Sequence, residues 1–170
     1  MAGMNFCAEE IVKRAIAIEI KANKFYLTAA ATAKDNQLRS FLETLAAMEV
    51  GHARMFEDIE KHLSDEERKV EIYDPGSEMA FYLDKFTEMQ AWEAEPPTDL
   101  YDDADVMMRI LRSALKAEKE TVVFYTFLYD FVRPERGLDK VSAIIREERN
   151  HVAKLQNIID QITKENQPGN

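Results

Sequence analysis

The 170-residue sequence contains only one cysteine, Cys7. A single cysteine excludes an intrachain disulfide framework. It also excludes a zinc site or a rubredoxin-type iron centre built from four thiolates of this chain. We interpret Cys7 as a small, half-buried apolar residue near the N-terminus.

Basic residues, glycine, proline and long apolar runs are also scarce. Lys and Arg number 22 against 32 Asp and Glu, a formal charge of -10, which argues against a nucleic-acid surface because phosphate binding needs clustered basic residues. Five Gly and five Pro are typical of a helix-rich globular chain. No segment approaches the roughly 18 apolar residues of a membrane span, and the charged N-terminus argues against a signal peptide. We therefore predict a cytoplasmic protein with neither membrane nor nucleic-acid partners.

Two of the three histidines belong to the same motif. Glu49-Val50-Gly51-His52 and Glu148-Arg149-Asn150-His151 are separated by 99 residues. Residues three apart on a helix share one face, so the carboxylate and the imidazole can bind one metal ion. One copy is a weak signal, and the second copy makes it informative. The third histidine, His62, has no Glu at that spacing, and we interpret it as a surface residue near a helix C-terminus.

The 99-residue offset extends well beyond the two motifs. It needs no gap, and it aligns apolar residues with apolar residues and Glu with Glu: Val12 with Leu111, Ala15 with Ala114, Ile16 with Leu115, Glu19 with Glu118, Phe25-Tyr26 with Phe124-Tyr125, Leu45 with Ile144, and Ile59 with Ile158. An internal repeat of this kind indicates the duplication of one helical hairpin.

Apolar residues recur at helical spacing in four segments, which predict helices over residues 6–33, 37–63, 104–131 and 138–164. Residues 64–103 are too long for a bare loop and predict a crossover, with a short amphipathic helix marked by Met79, Tyr82, Leu83, Phe86 and Trp92. The sequence therefore predicts one all-α domain over residues 1–170. Its architecture is a ferritin-like four-helix bundle of two duplicated antiparallel hairpins, 6–63 and 104–164, joined by the crossover.

Charged residues interrupt the apolar stripes of these helices. Glu19 lies on the edge of the first stripe, and Glu49 and His52 lie within the second. A buried carboxylate is costly unless something pairs with it. Gly51 lies inside the second helix, where it costs about 1 kcal/mol relative to Ala, and close approach of another helix would explain it.

These positions match a known type of di-metal site. In four-helix bundles, such a site takes one Glu from each of two helices and a Glu-x-x-His motif from each of the other two. Two divalent ions would balance four carboxylates that otherwise repel one another and lose hydration. Carboxylate and imidazole ligands favour iron or manganese, and six protein ligands for two ions leave positions open to O2, peroxide or water. The candidate ligands are Glu19, Glu49, His52, Glu118, Glu148 and His151.

In these motifs the sequence resembles rubrerythrin and other ferritin-like di-iron proteins, specifically rubrerythrin-type domains without a rubredoxin module. The resemblance covers residues 6–63 and 104–162, and is carried by Glu19 with Phe25-Tyr26, Glu118-Lys119-Glu120 with Phe124-Tyr125, and the two Glu-x-x-His motifs. It implies two iron ions, with Mn or Zn as substitutes. It further implies that Glu19 and His52 bind one ion, that Glu118 and His151 bind the other, and that Glu49 and Glu148 bridge them.

The sequence departs from the rubrerythrin pattern at one position. Rubrerythrins usually carry an additional Glu three residues after the ligand of the third helix, where this chain has Thr121. The predicted site is therefore symmetric and more similar to a bacterioferritin centre. That symmetry argues against the iron-shifting peroxidase mechanism associated with the additional carboxylate.

Two tyrosines and two further glutamates lie near the candidate ligands in the sequence. Tyr26 and Tyr125 lie about two turns after a ligand Glu. Their hydroxyls can donate to a carboxylate of a neighbouring helix, or their rings simply fill space; repetition at one offset favours the first. Glu120 and Glu147 point about 100–200° away from the adjacent ligand on their helix, and we interpret both as solvated.

The leading functional hypothesis is a non-haem di-iron oxidoreductase of rubrerythrin type that reduces peroxide or oxidises Fe(II) with O2. Its electrons would come from a separate donor protein, and the resemblance implies a homo-oligomer, a dimer. The first alternative is a protein that binds or stores iron without redox turnover. The second is a metal-free scaffold, which is disfavoured because all six ligand positions are intact.

Overall fold

The computed structural model describes residues 5–6, 8–65, 68, 72–73, 103–129 and 138–165. It confirms the predicted four-helix architecture. The helices are α1 (Ala8–Thr32), α2 (Asn36–Lys61), α3 (Asp103–Tyr129) and α4 (Leu138–Glu165). Cys7 and the predicted short helix of the crossover lie outside the described residues.

One feature without a sequence signal is a short antiparallel strand pair. Strand β1 (Asn5–Phe6) pairs with β2 (Ile72–Tyr73), with Asn5 opposite Tyr73 and Phe6 opposite Ile72. The pair joins the segment before α1 to the segment after α2. None of the helices that the structure describes is long and apolar enough to cross a membrane.

Polar contacts mark both ends of the hairpin of α1 and α2. At the turn, Asp35 caps α2 by accepting a hydrogen bond from the backbone N–H of Leu38 at 2.7 Å, which satisfies one of the free donors of the first helical turn. At the opposite end, Lys13 Nζ lies 2.9 Å from Glu9 Oε1 and 3.8 Å from Glu60 Oε1. The start of α1 therefore lies beside the end of α2, as an antiparallel hairpin requires.

The apolar stripes of all four helices form one core. On α1, the apolar residues at helical spacing are all buried: Ile11, Ala15, Ile18, Ala22, Phe25 and Ala29. On α2, Leu42 is fully buried, whereas Phe41 and Met55 are half-buried against the core. Helix α1 packs mainly on α2 and α3 mainly on α4, and the two hairpins meet where α1 faces α3 and α2 faces α4.

Gly51 does not mark a close helix approach, so that interpretation is wrong. A Cβ atom added there would meet none of the described residues within 4 Å beyond its own helix. Gly51 therefore destabilises the interior of α2 relative to Ala, and packing against the described residues does not explain why glycine stands there.

Candidate metal centre

The six predicted ligands lie together in the middle of the bundle. Each side chain is at most 1% exposed, and all four helices contribute: Glu19 from α1, Glu49 and His52 from α2, Glu118 from α3, and Glu148 and His151 from α4. Glutamates are almost never fully buried unless they are paired. Four of them in one apolar core indicate a site for positive charge.

The ligand atoms form two overlapping clusters, each with its atoms within 4.8 Å of one another. One cluster contains Glu19 and His52, and the other contains Glu118 and His151. Glu49 and Glu148 belong to both clusters, which is the arrangement of two carboxylates that bridge a pair of ions. This grouping matches the division of ligands that the family resemblance implies.

Both histidines present the same ring nitrogen to the carboxylates. His52 Nδ1 lies 2.7 Å from Glu148 Oε1 and 3.0 Å from Glu49 Oε2. His151 Nδ1 lies 3.1 Å from Glu148 Oε2 and 3.3 Å from Glu49 Oε1. The two rings are 5.8 Å apart between centroids and inclined by 27°. Each Nδ1 is therefore directed into the space between the shared carboxylates.

Several polar atoms in this space make no hydrogen bond to any described residue. They are Glu49 Oε1, both carboxylate oxygens of Glu148, and both ring nitrogens of His151. Buried polar atoms without partners are rare in folded proteins, and lone pairs that converge on one point are satisfied by a cation. The donors are carboxylate oxygens and imidazole nitrogens, which suit iron, manganese or zinc. The residues present therefore fit a pair of divalent metal ions.

The pKa shifts show how strongly the cluster attracts positive charge. Burial, and then the neighbouring carboxylates, raise the pKa values of Glu19 and Glu118 well above their usual range. Burial alone would lower the pKa values of the histidines, but close contacts with carboxylates raise the pKa of His52 strongly and that of His151 to about 12. Burial would raise the pKa of Glu148, but the close approach of both histidines lowers it to about 2. Without metal, protons must supply the balancing charge.

Two tyrosines form hydrogen bonds between α1 and α3 with Glu19 and Glu118, the two carboxylates that belong to only one cluster each. The Tyr26 hydroxyl of α1 donates to Glu118 Oε1 of α3, and the Tyr125 hydroxyl of α3 donates to Glu19 Oε1 of α1. Burial, and then the charge of these carboxylates, raise the pKa of both tyrosines well above the usual range, so the hydroxyls keep their protons and donate. These are contacts of the kind that the tyrosine spacing suggested.

Glu147 is not simply solvated, and that interpretation is wrong. Its Oε2 lies 2.8 Å from His52 Nε2, although its side chain is 43% exposed. Glu147 points away from Glu148 on its own helix, but in doing so it points towards α2. The helical phase of α4 alone carries no signal for this contact, because the contact depends on how α4 is rotated against α2.

The remaining polar residues that the sequence singled out do not belong to the two ligand clusters. Glu120 is 38% exposed and lies 3.8 Å from Lys116, which agrees with a solvated side chain. The side chain of His62 is 68% exposed at the C-cap of α2. Thr121 is 2% exposed, and its hydroxyl makes no hydrogen bond to any described residue.

Comparison with known proteins points to one family. The rubrerythrin family profile matches residues 10–106, more than half of the chain. A Thermotoga maritima protein provisionally described as a ferritin-like diiron-carboxylate protein superimposes with a TM-score of 0.70 at 18% identity, covering 94% of this chain and 98% of its own. A hypothetical protein from Pyrococcus furiosus gives a TM-score of 0.71 at 21% identity, covering 96% and 94%. No curated protein matches the sequence.

Proposed function

The chain belongs to the rubrerythrin family, and we propose that it is a non-haem di-iron oxidoreductase that reduces peroxide or oxidises Fe(II) with O2. The overlap of the two buried ligand clusters at Glu49 and Glu148 carries this proposal. Shared carboxylates favour one dinuclear centre over two independent sites. A dinuclear centre can exchange two electrons with one molecule of peroxide.

Each ligand has a place in this centre. Glu19 and His52 would hold one ion and Glu118 and His151 the other, with both shared carboxylates between them. Iron would supply redox chemistry and open positions for O2 or peroxide. The protein itself fixes the ligands, because the buried tyrosine hydroxyls hold the two unshared carboxylates, and the surrounding apolar core excludes bulk water.

The proposal includes two partners. Electrons would come from a separate donor protein, because the single cysteine of this chain cannot form a rubredoxin centre. A second copy of the chain would form a dimer, as the family resemblance implies.

Metal analysis and rapid kinetics test the proposed function. Protein reconstituted with Fe(II) without oxygen should hold about two iron ions per chain. Mixing the ferrous protein with H2O2 or O2 in a stopped-flow spectrometer should produce ferric absorbance in a fast phase. Two bound ions without a fast phase would assign iron binding or storage instead. A stoichiometry near zero would leave only a metal-free scaffold.

Paired variants test the ligand assignment. Glu49→Ala should sharply reduce binding of both ions, because Glu49 belongs to both clusters. Glu120→Ala removes the same charge from a side chain that is 38% exposed and should leave binding unchanged. Equal loss in the two variants would show that the assigned helix faces do not carry the ligands.

A further inference from the structure

One contact at the metal centre breaks the symmetry of the duplication. The tyrosine–glutamate hydrogen bonds and the contacts of each Nδ1 with the shared carboxylates occur in pairs related by the 99-residue offset. The hydrogen bond between His52 Nε2 and Glu147 has no such counterpart. The position 99 residues before Glu147 is Met48, which has no carboxylate. Accordingly, His151 Nε2 makes no hydrogen bond to any described residue.

We propose that Glu147 is a positioning residue for His52 and makes the two metal positions unequal. The position of Glu19 and His52 then binds a divalent transition-metal ion more tightly than the position of Glu118 and His151. This inference rests on the dinuclear centre proposed above. It concerns the order in which the two positions fill, which the shared ligand set alone does not determine.

The physical reason lies in the two nitrogens of one imidazole ring. A carboxylate only accepts hydrogen bonds, so Nε2 of His52 carries the proton that it donates to Glu147 over 2.8 Å. In a neutral ring this leaves the lone pair on Nδ1, the atom that lies 2.7 Å from Glu148 Oε1 among the ligands. The negative charge of Glu147 also makes His52 a stronger electron donor, and the hydrogen bond fixes the rotation of the ring.

Among the described residues, nothing gives His151 this support on its outer nitrogen. Its neutral ring is free to carry the proton on either nitrogen, and binding an ion must select the form with an unprotonated Nδ1. Loss of such a hydrogen-bond partner typically lowers metal affinity by about 10–100-fold. Because Glu147 is 43% exposed and therefore screened by water, we expect a difference near the lower end, about tenfold.

Calorimetric titration of the metal-free, full-length protein with Mn(II) tests the inference. The wild type should bind two ions in two steps. Glu147→Ala should weaken the tighter step about tenfold and leave the other step unchanged, so that the two steps converge. Glu147→Gln should have a smaller effect, because its amide oxygen still accepts a hydrogen bond without the charge. Repulsion between the two ions also separates the steps, so the variants, and not the wild-type separation, decide the question.

Two further variants complete the test. The first is a control for the loss of charge, and the second adds a carboxylate beside His151 instead of removing the one beside His52. Glu120→Gln removes the same charge from a side chain of similar exposure, 38%, and should change neither step. Met48→Glu places a carboxylate at the position equivalent to Glu147 and should tighten the weaker step. A general effect of surface charge would instead make Glu120→Gln and Glu147→Gln alike.

A second readout separates positioning of His52 from a merely structural role. In a His52→Ala background, Glu147→Ala should cause no further loss of affinity, because the two residues act as a unit. In Zn(II)-loaded protein, which is diamagnetic, the Nε2–H proton of His52 should give a slowly exchanging NMR signal that Glu147→Ala abolishes.

The outcomes distinguish this inference from the proposed function. If the wild type binds two Mn(II) ions but Glu147→Ala changes neither step, or weakens both equally, the inequality proposed here is wrong while the dinuclear centre stands. If the wild type binds no Mn(II) or Zn(II), both proposals are wrong.

Discussion

Removing the metal ions should reverse the pH dependence of stability. In the ion-free protein the pKa values of Glu19, Glu118, His52 and His151 are raised. A raised pKa contributes stability that is fully present below the unfolded-state pKa and is lost as pH rises through the folded-state pKa. That loss begins near 4.5 for the two carboxyl groups and near 6.5 for the two histidines. The free energy of unfolding of the ion-free protein should therefore fall as pH rises from about 5.5 to about 7.5.

Glu148 acts in the opposite direction but in a different range. Its pKa is lowered to about 2, so its contribution is present above 4.5 and is lost only as pH falls from 4.5 towards 2. It does not affect the comparison at the higher pH values. The ion-free protein should consequently be most stable in mild acid.

The expected changes are large enough to measure. A proton held in the folded state and released on unfolding changes the free energy of unfolding by about 1.4 kcal/mol per pH unit, so the two histidines contribute up to about 3 kcal/mol over one unit above their unfolded pKa. Metal binds ionised carboxylates and neutral imidazoles, and therefore binds better as pH rises. At a hundredfold excess over Kd it adds about 2.7 kcal/mol, which is about 5–11 °C in Tm for a chain of this size.

Thermal melts followed by circular dichroism, with Mn(II) or with a chelator, test this at pH values of about 5.5 and 7.5. The metal-induced rise in Tm should be larger at the higher pH, and the chelated protein should melt lower there than in mild acid. A metal shift that is equal or larger at the lower pH would refute the buried four-carboxylate site.

Three further changes have definite expected outcomes. Gly51→Ala should raise the free energy of unfolding by about 1 kcal/mol, because the added Cβ meets no described residue of another element within 4 Å; a fall in denaturation midpoint would contradict this. Asp35→Ala should cost about 1 kcal/mol in chemical denaturation by removing the α2 cap, and an unchanged midpoint would show that the cap contributes nothing. Tyr26→Phe and Tyr125→Phe should each weaken Mn(II) binding about tenfold or more in calorimetry, and unaltered affinity in both would leave the tyrosines as space-filling aromatics.

The location of the candidate metal centre could be predicted because the signal is periodic and repeated. Glu49, His52 and their copies lie in phase with the apolar stripe of a single helix, and the phase of one helix can be read from its own sequence. The 99-residue repeat then placed Glu19 and Glu118 at equivalent depths. No contact between distant segments had to be known in advance.

The features that could not be predicted depend on how segments meet. The contact of Glu147 with His52 requires the rotation of α4 against α2, and the strand pair requires residues 5–6 to meet residues 72–73. Neither the contact nor the strand pair can be recognised from the sequence of a single segment. The start of α2 is a different case, because Asp is a preferred N-cap residue and Asp35 stands in the short turn before the helix. The sequence therefore contained a signal for a helix that starts at residue 36, although we predicted a start at residue 37.

The distribution of the ligands has a consequence for the order of folding. Each ion position draws on both hairpins, whereas most helix packing lies within a hairpin. Contacts within a hairpin are close in sequence and form early, while docking of the hairpins closes a long loop and brings four carboxylates together. Docking is therefore the step that repulsion among the four unbalanced carboxylates opposes, and bound cations would remove that repulsion. Ions that bind only the docked state would then favour docking of the hairpins as well as stabilise the folded protein.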